Sequence, residues 1–438
     1  MTTPWAGRRL PTLEERFSSR HNALGLIRLV LASAVVVGHA WPLGLGLDQP
    51  GRGGTGGQTD LGNLAVFGFF VLSGFLITGS GLRFTAGRYT WHRILRIFPG
   101  LWVCLLVTAL VIAPVVALYE RGSLDGFWHH PLGPFDYITS NWFAAMTQYR
   151  ISNLLTEGPY GQSFGGSPTA FDGSLWSLKY ELMCYALVAA LMVTAVLRKA
   201  PRAVLLLAAV CYAFMLADLL HAKEWTIEPP GRGTIGPLPL LGTFQIRHVI
   251  YLGFAFLLGA AARLYRHRLP MHGAVAAAAG VVMALTLWHG GFHTIGLPAF
   301  VYLLLYLAVA LPGRLQNVGR KRDYSYGIYI YGWPAQQLIA LVGGTRYGMP
   351  VYVLLSLLGT LVLAVPSWHL VERPAMSLKD RTLPVPGWLR RWRDGREQAA
   401  SAREERAPLR PLPAPGSQQP APAPHLEREL ADAPHSGG

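Results

Sequence analysis

The chain has 438 residues, 51% of them hydrophobic and only 14% charged, yet its net charge is +15. Apolar residues come in blocks of about 20 separated by short basic or Gly/Pro-rich connections, which excludes a water-soluble domain and predicts a polytopic membrane protein. The arginines sit between the blocks as topology signals and anionic-lipid contacts, and no nucleic-acid motif is present, so no nucleic-acid partner is expected.

The pattern predicts an all-α bundle of about ten transmembrane helices, at roughly 24–43, 63–82, 97–119, 174–197, 203–220, 246–262, 272–289, 296–313, 323–343 and 350–371. Alternate connections hold eighteen basic residues, in clusters such as Arg83 to Arg96 and Arg314 to Arg322, against six in the others. The positive-inside rule makes the basic connections cytoplasmic, and both termini with them. Three regions follow: a cytoplasmic segment 1–23, a membrane domain 24–378 and a cytoplasmic tail 379–438. The tail is rich in Pro, Ala and Arg without apolar periodicity, so disorder is expected there, with PGWLRRWRDGR at its start as an interfacial segment.

The first span, LGLIRLVLASAVVVGHAWPLG, carries Arg28 and His39. It is too long for a signal-peptide core and is expected to stay as an anchor. Ionisable groups in hydrocarbon mark function by default. Eleven residues bring the helix within about 20° of its starting direction over roughly 16 Å. A long ligand anchored by an anionic end at Arg28 and presenting a reactive end at His39 fits that spacing; a snorkelling arginine and an incidental histidine are the other reading.

Arg93 and Arg96, in WHRILRIFP, share a face at the entrance of the third span and can clamp phosphates together with Arg28, unless they are ordinary cytoplasmic charge. The connection 120–173 is the longest external one and is expected to cover or select a substrate. His129 and His130 within it have no Cys or carboxylate at ligand spacing, so no metal is expected. Cys104, Cys184 and Cys211, all in spans, read as small core residues. The fourth span opens with FDGSLWSLKYELMCY, placing Asp172 before it and Glu181 about two turns in, at a depth similar to His39. A carboxylate and an imidazole at one depth are the parts of a general-base pair, with a Glu181–Lys179 interface pair as the alternative.

These motifs resemble the acyltransferase-3 family of integral membrane O-acyltransferases over about residues 20–378. The pieces are Arg28 with His39, FGFFVLSGFLIT, Arg93 and Arg96 before Pro99, SLWSLKYE ending at Glu181, DYSYGIYIYGWP, and VERPAMSL. The resemblance implies an acyl-CoA-dependent enzyme of the bacterial cytoplasmic membrane, with acetyl-CoA the expected co-substrate and no metal. The acceptor would be a hydroxyl of a cell-surface glycan or lipid-linked saccharide, or alternatively of a secondary metabolite or signal molecule. His39 would be the base, assisted by Glu181, and Arg28, Arg93 and Arg96 would hold the coenzyme phosphates. Ser73, Gly74, Trp176, Ser177, Tyr329, Tyr331 and Trp333 would contact substrate or pack helices. Many members carry a His before the Trp-Pro of the ninth span; this chain has Gly332, and the retained His39 and Glu181 make that position accessory or acceptor-side. A transporter or scaffold is the reading from another class, but no inverted repeat is visible.

Overall fold

Inside a bilayer each backbone N–H and C=O must be satisfied within its own segment, so apolar blocks of this length fold as helices. The computed structural model describes residues 10–18, 21–222 and 228–380. The tail beyond 380, expected to be disordered, lies outside the described residues, as do Arg8, Arg9, Arg20 and Lys223.

Ten long helices follow one another among the described residues: α1 (Leu24–Leu45), α2 (Leu61–Arg83), α3 (Ala86–Arg121), α4 (Ser174–Val193), α5 (Arg202–Ala222), α6 (Ile246–Leu264), α7 (Gly273–His289), α8 (Phe292–Ala310), α9 (Ser325–Leu341) and α10 (Met349–Asp380). Eight are long and apolar enough to cross a membrane; α7 and α9 have 17 residues each, about 26 Å at 1.5 Å per residue. This is the expected polytopic helical architecture. Gly46 ends α1 in the left-handed conformation at φ 67°, and the Asp60 side chain caps α2 by accepting the Asn63 N–H at 2.8 Å.

The third helix begins at Ala86, well before the expected 97, because AGRYTWHRILRI is amphipathic and buries Tyr89, His92, Leu95 and Ile97. Arg93 and Arg96 therefore lie two to three turns inside α3 rather than at its entrance. At the other end of the chain α10 passes through a wide turn at Trp368–Glu372, which carries Glu372 inward until it is buried.

The central contacts join α2 to α6 and α9 to both α1 and α10. Where α2 crosses α6 the backbones touch. A Cβ on Gly74 would lie 1.9 Å from the Phe256 carbonyl oxygen, and one on Gly259 would lie 2.1 Å from that of Val71. Gly74 is thus a packing residue, while its neighbour Ser73 faces the bundle interior. Gly259→Ala is expected to force the helices apart at a cost of about 1–3 kcal/mol. Gly253→Ala on the same helix is its control, since nothing lies within 4 Å of a Cβ there. Thermal midpoints of the two proteins in detergent check this: only Gly259→Ala should fall.

Connection 120–173 is an ordered cap. Glu120 accepts the backbone N–H groups of Leu155, Thr156 and Glu157 at 3.0, 2.9 and 3.1 Å, and Phe127, Tyr137 and Phe171 are buried beneath the surface it forms. A hairpin of β1 (Thr234–Leu238) and β2 (Gly242–Gln245) lies between α5 and α6. Its Gly- and Pro-punctuated sequence carries no alternation that would have announced strands. The N-terminal residues pack on the α6–α7 connection through Thr12 against Pro270 and an Arg266–Glu14 ion pair of 2.7 Å.

Candidate active site

Five helices converge on one interior cavity of about 120 Å³. Arg28 comes from α1, Ser73 from α2, Arg93 and Arg96 from α3, Ser177, Glu181 and Tyr185 from α4, and Tyr326 and Tyr329 from α9. A second, larger cavity of about 350 Å³ shares Arg28 and Leu76 with the first and adds Arg83, Arg263 and Arg320. Arg28, Arg93 and Arg96 line this one cavity, in a basic region extending toward the start of α1.

Their charges are organised by two carboxylates that sequence reasoning missed as site residues. Asp323, just before α9, accepts from Arg96 at 2.8 Å and from Arg28 at 3.2 Å. Glu372, brought in by the wide turn of α10, lies 3.7 Å from Arg96. The signal was present, since Asp323 opens DYSYG and Glu372 stands in VERP, each an acid at the edge of an apolar block. Arg93 differs from its neighbours: it makes no ion pair among the described residues and lies over the Tyr185 ring at 5.8 Å. The Nε atoms of Arg28 and Arg93 are buried without a hydrogen-bond partner. Buried guanidinium donors left open in a cavity are suited to an anionic ligand.

Glu181 belongs to this cavity. Its Oε1 accepts from the Ser73 hydroxyl at 3.2 Å and from the Tyr185 hydroxyl one turn away. No hydrogen bond joins it to His39 or to Lys179; Lys179 donates instead to the Thr243 carbonyl at 2.8 Å. Equal depth along two helices did not bring the carboxylate and imidazole together, because depth leaves the rotation of each helix open.

His39 is buried on α1, edge-on to the Trp333 ring with centroids 4.8 Å apart, and its Nδ1 has no hydrogen-bond partner. Trp333 is held from above, donating its indole N–H to the Ala170 carbonyl at 3.1 Å and packing edge-on to Tyr160. The cap formed by connection 120–173 therefore roofs the histidine. One turn below Trp333, Tyr329 bonds Ser177 at 2.6 Å and donates to the Ser174 carbonyl at 2.6 Å. Ser174 in turn donates to Asp172 at 2.6 Å. Burial pushes the Asp172 carboxyl up to about 7, against the lowering effect of its bonds from Ser174. Tyr329 and Ser177 thus tie the cavity wall to the layer carrying Trp333, whereas Tyr331 is buried in the core and does not line the cavity. Gly332 faces α1: a Cβ there would lie 2.8 Å from a Val36 methyl, so a larger side chain would displace the helix that carries His39. Trp176 lines a different cavity. Among the described residues no group of three or more His, Cys, Asp or Glu could hold a metal ion.

A model of the acyltransferase-3 family, described as an acyltransferase domain, matches residues 21–369. The chain belongs to the acyltransferase-3 family. It is similar to "Nodulation protein 10" of Rhizobium leguminosarum bv. viciae, 30% identical over 388 residues covering 83% of this chain and 96% of that protein. It is also similar to the "O-acetyl transferase" of Shigella phage Sf6, 24% identical over 360 residues covering 81% of this chain and 96% of that protein. No solved structure matches. An acyltransferase-3 protein of this architecture is a multi-pass membrane O-acyltransferase, and the cavity among its arginines lies wholly within the matched segment.

Proposed function

We propose that the protein transfers an acyl group, acetyl first of all, from cytoplasmic acyl-coenzyme A to a hydroxyl of a cell-surface glycan or lipid-linked saccharide. The observation carrying this reading is the pair of adjoining cavities that share Arg28. The wider one, with Arg28, Arg83 and Arg263, has the charge to take a phosphorylated nucleotide. The narrow one continues from it past Arg93 and Arg96 to Ser177 and Tyr329, one turn below the Trp333 that packs on His39.

In this reading the basic connections and both termini face the cytoplasm of a bacterium and the cap faces outward, so donor and acceptor approach from opposite sides. Arg28, Arg93 and Arg96 hold phosphate oxygens, and Asp323 keeps two of the guanidiniums in place before the donor arrives. Glu181, fixed by Ser73 and Tyr185, accepts from an amide N–H of the pantetheine arm. His39 takes the proton of the acceptor hydroxyl; the oxygen attacks the thioester carbonyl, an ester C–O bond forms, the C–S bond breaks, and the departing thiolate receives the proton from the imidazolium. The products are the O-acylated acceptor and free coenzyme A.

The test is purified protein in detergent given radiolabelled acetyl-coenzyme A and candidate saccharides. Label should appear in the saccharide as an alkali-labile ester with one free thiol released per ester. Label moved across a sealed membrane without thiol release would instead indicate transport.

A further inference from the structure

At the opposite end of the bundle from Arg28 lies a cavity of about 320 Å³, at the lower end of the roughly 300–1,000 Å³ typical of small-molecule sites. Its walls are the α1–α2 connection, the start of α4, the residues leading into α6 and the first turn of α8. Neighbouring residues of α2 and α4 line it and the arginine cavity. On α2, Phe67 lines the external cavity while Val66 and Phe70 line the internal one; at the start of α4, Trp176 faces outward and Ser177 inward.

Its chemistry is that of a site for hydroxyl groups. The Trp176 ring lies 4.5 Å from His248, tilted by 39°, so one side of the cavity is aromatic. Axial C–H groups of a sugar ring carry partial positive charge and stack on the negative face of such a ring. At the rim the Glu228 carboxylate joins Arg52 at 2.6 Å and Arg247 at 3.7 Å. That places planar donors and acceptors side by side, spaced for adjacent hydroxyls.

His293 adds the most specific feature. It is 6% exposed, and its Nε2 lies 2.9 Å from the Gln58 carbonyl oxygen. A carbonyl only accepts, so Nε2 carries the proton and the neutral ring keeps an acceptor lone pair on Nδ1. That Nδ1 is buried with no partner. An unpartnered acceptor on a residue that lines the cavity is matched by a donor, which a hydroxyl supplies and an aliphatic chain does not.

The geometry points to this cavity as the subsite that seats a pyranose ring of the acceptor, stacked on Trp176 with hydroxyls at Arg52, Glu228, Arg247 and His293. This deepens the proposed function and rests on it for the word acceptor; the sugar site itself is testable alone. The probes are methyl glycosides of glucose, galactose, mannose, rhamnose and N-acetylglucosamine. Binding is read by calorimetric titration of the full-length protein in a non-glycosidic detergent, and coupling by glycoside-dependent thiol release from acetyl-coenzyme A.

At least one glycoside should bind the unaltered protein. Trp176→Ala and Arg247→Gln should each weaken it tenfold or more, with Trp176→Phe retaining most of the affinity and the KM for acetyl-coenzyme A unmoved in all three. His293→Phe, which keeps the ring and removes the acceptor atom, should weaken it as well. Absence of binding by every glycoside, or unchanged affinity in both Trp176→Ala and Arg247→Gln, overturns the assignment. Sugar binding without acyl transfer leaves the cavity assigned and removes the proposed function, while acyl transfer to a saccharide with sugar affinity unchanged in both Trp176→Ala and Arg247→Gln keeps the function and removes the cavity.

Discussion

His39→Ala is expected to lower kcat by roughly 100-fold or more while leaving the affinity for acetyl-coenzyme A nearly unchanged. The histidine does not line the arginine cavity, contacts Trp333 beneath the cap of connection 120–173, and has a buried ring nitrogen without a partner. Its removal therefore takes away a proton acceptor and none of the groups assigned to the donor. Glu181→Gln should behave differently. Its carboxylate is held by Ser73 and Tyr185 inside the donor cavity, so the change should appear mainly in donor KM. Direct coenzyme titration with single-turnover transfer on each variant distinguishes the two. Full turnover by His39→Ala removes the imidazole from the chemistry.

Arg93→Ala and Arg96→Ala should separate binding from stability. Arg93 has no acidic partner among the described residues, so its loss should cost only a phosphate contact. A charge-assisted bond of about 1.5–3 kcal/mol corresponds to roughly a 10- to 150-fold rise in donor KM. Arg96 bonds Asp323 and approaches Glu372, whose side chain is 2% exposed. Removing Arg96 strands a buried carboxylate, at a cost on the order of 3 kcal/mol. Arg96→Ala should thus lower the thermal midpoint as well as donor affinity, and Arg93→Ala only the affinity. Equal loss of midpoint in both, or unchanged coenzyme affinity in both, would show that the cluster is structural.

Gly332 shows how a local departure gains meaning only in context. As a sequence feature it is a missing histidine; in the fold it is the point where α9 approaches Val36 of α1, three residues from His39. The close approach that brings Trp333 against His39 is compatible with Gly at this position because no side chain intervenes.

What the chain determines by itself is local: which stretches are apolar enough to be helices, where the arginines gather, and that Arg28, His39, Arg93, Arg96 and Glu181 are ionisable groups placed in or beside hydrocarbon-length segments. Hydropathy and charge are properties of a window of residues, so they are legible without a partner. The meeting of Arg28 and Arg96 on Asp323, the capture of Glu181 by Ser73 instead of His39, and the back-to-back placement of two cavities across Phe67 and Trp176 were decided by tertiary structure. Those contacts join residues about 110 to nearly 300 positions apart and depend on the rotation and crossing of each helix. Helix rotation is set by side-chain packing among several neighbours at once, as at Gly74 and Gly259, and no single window of sequence contains that information.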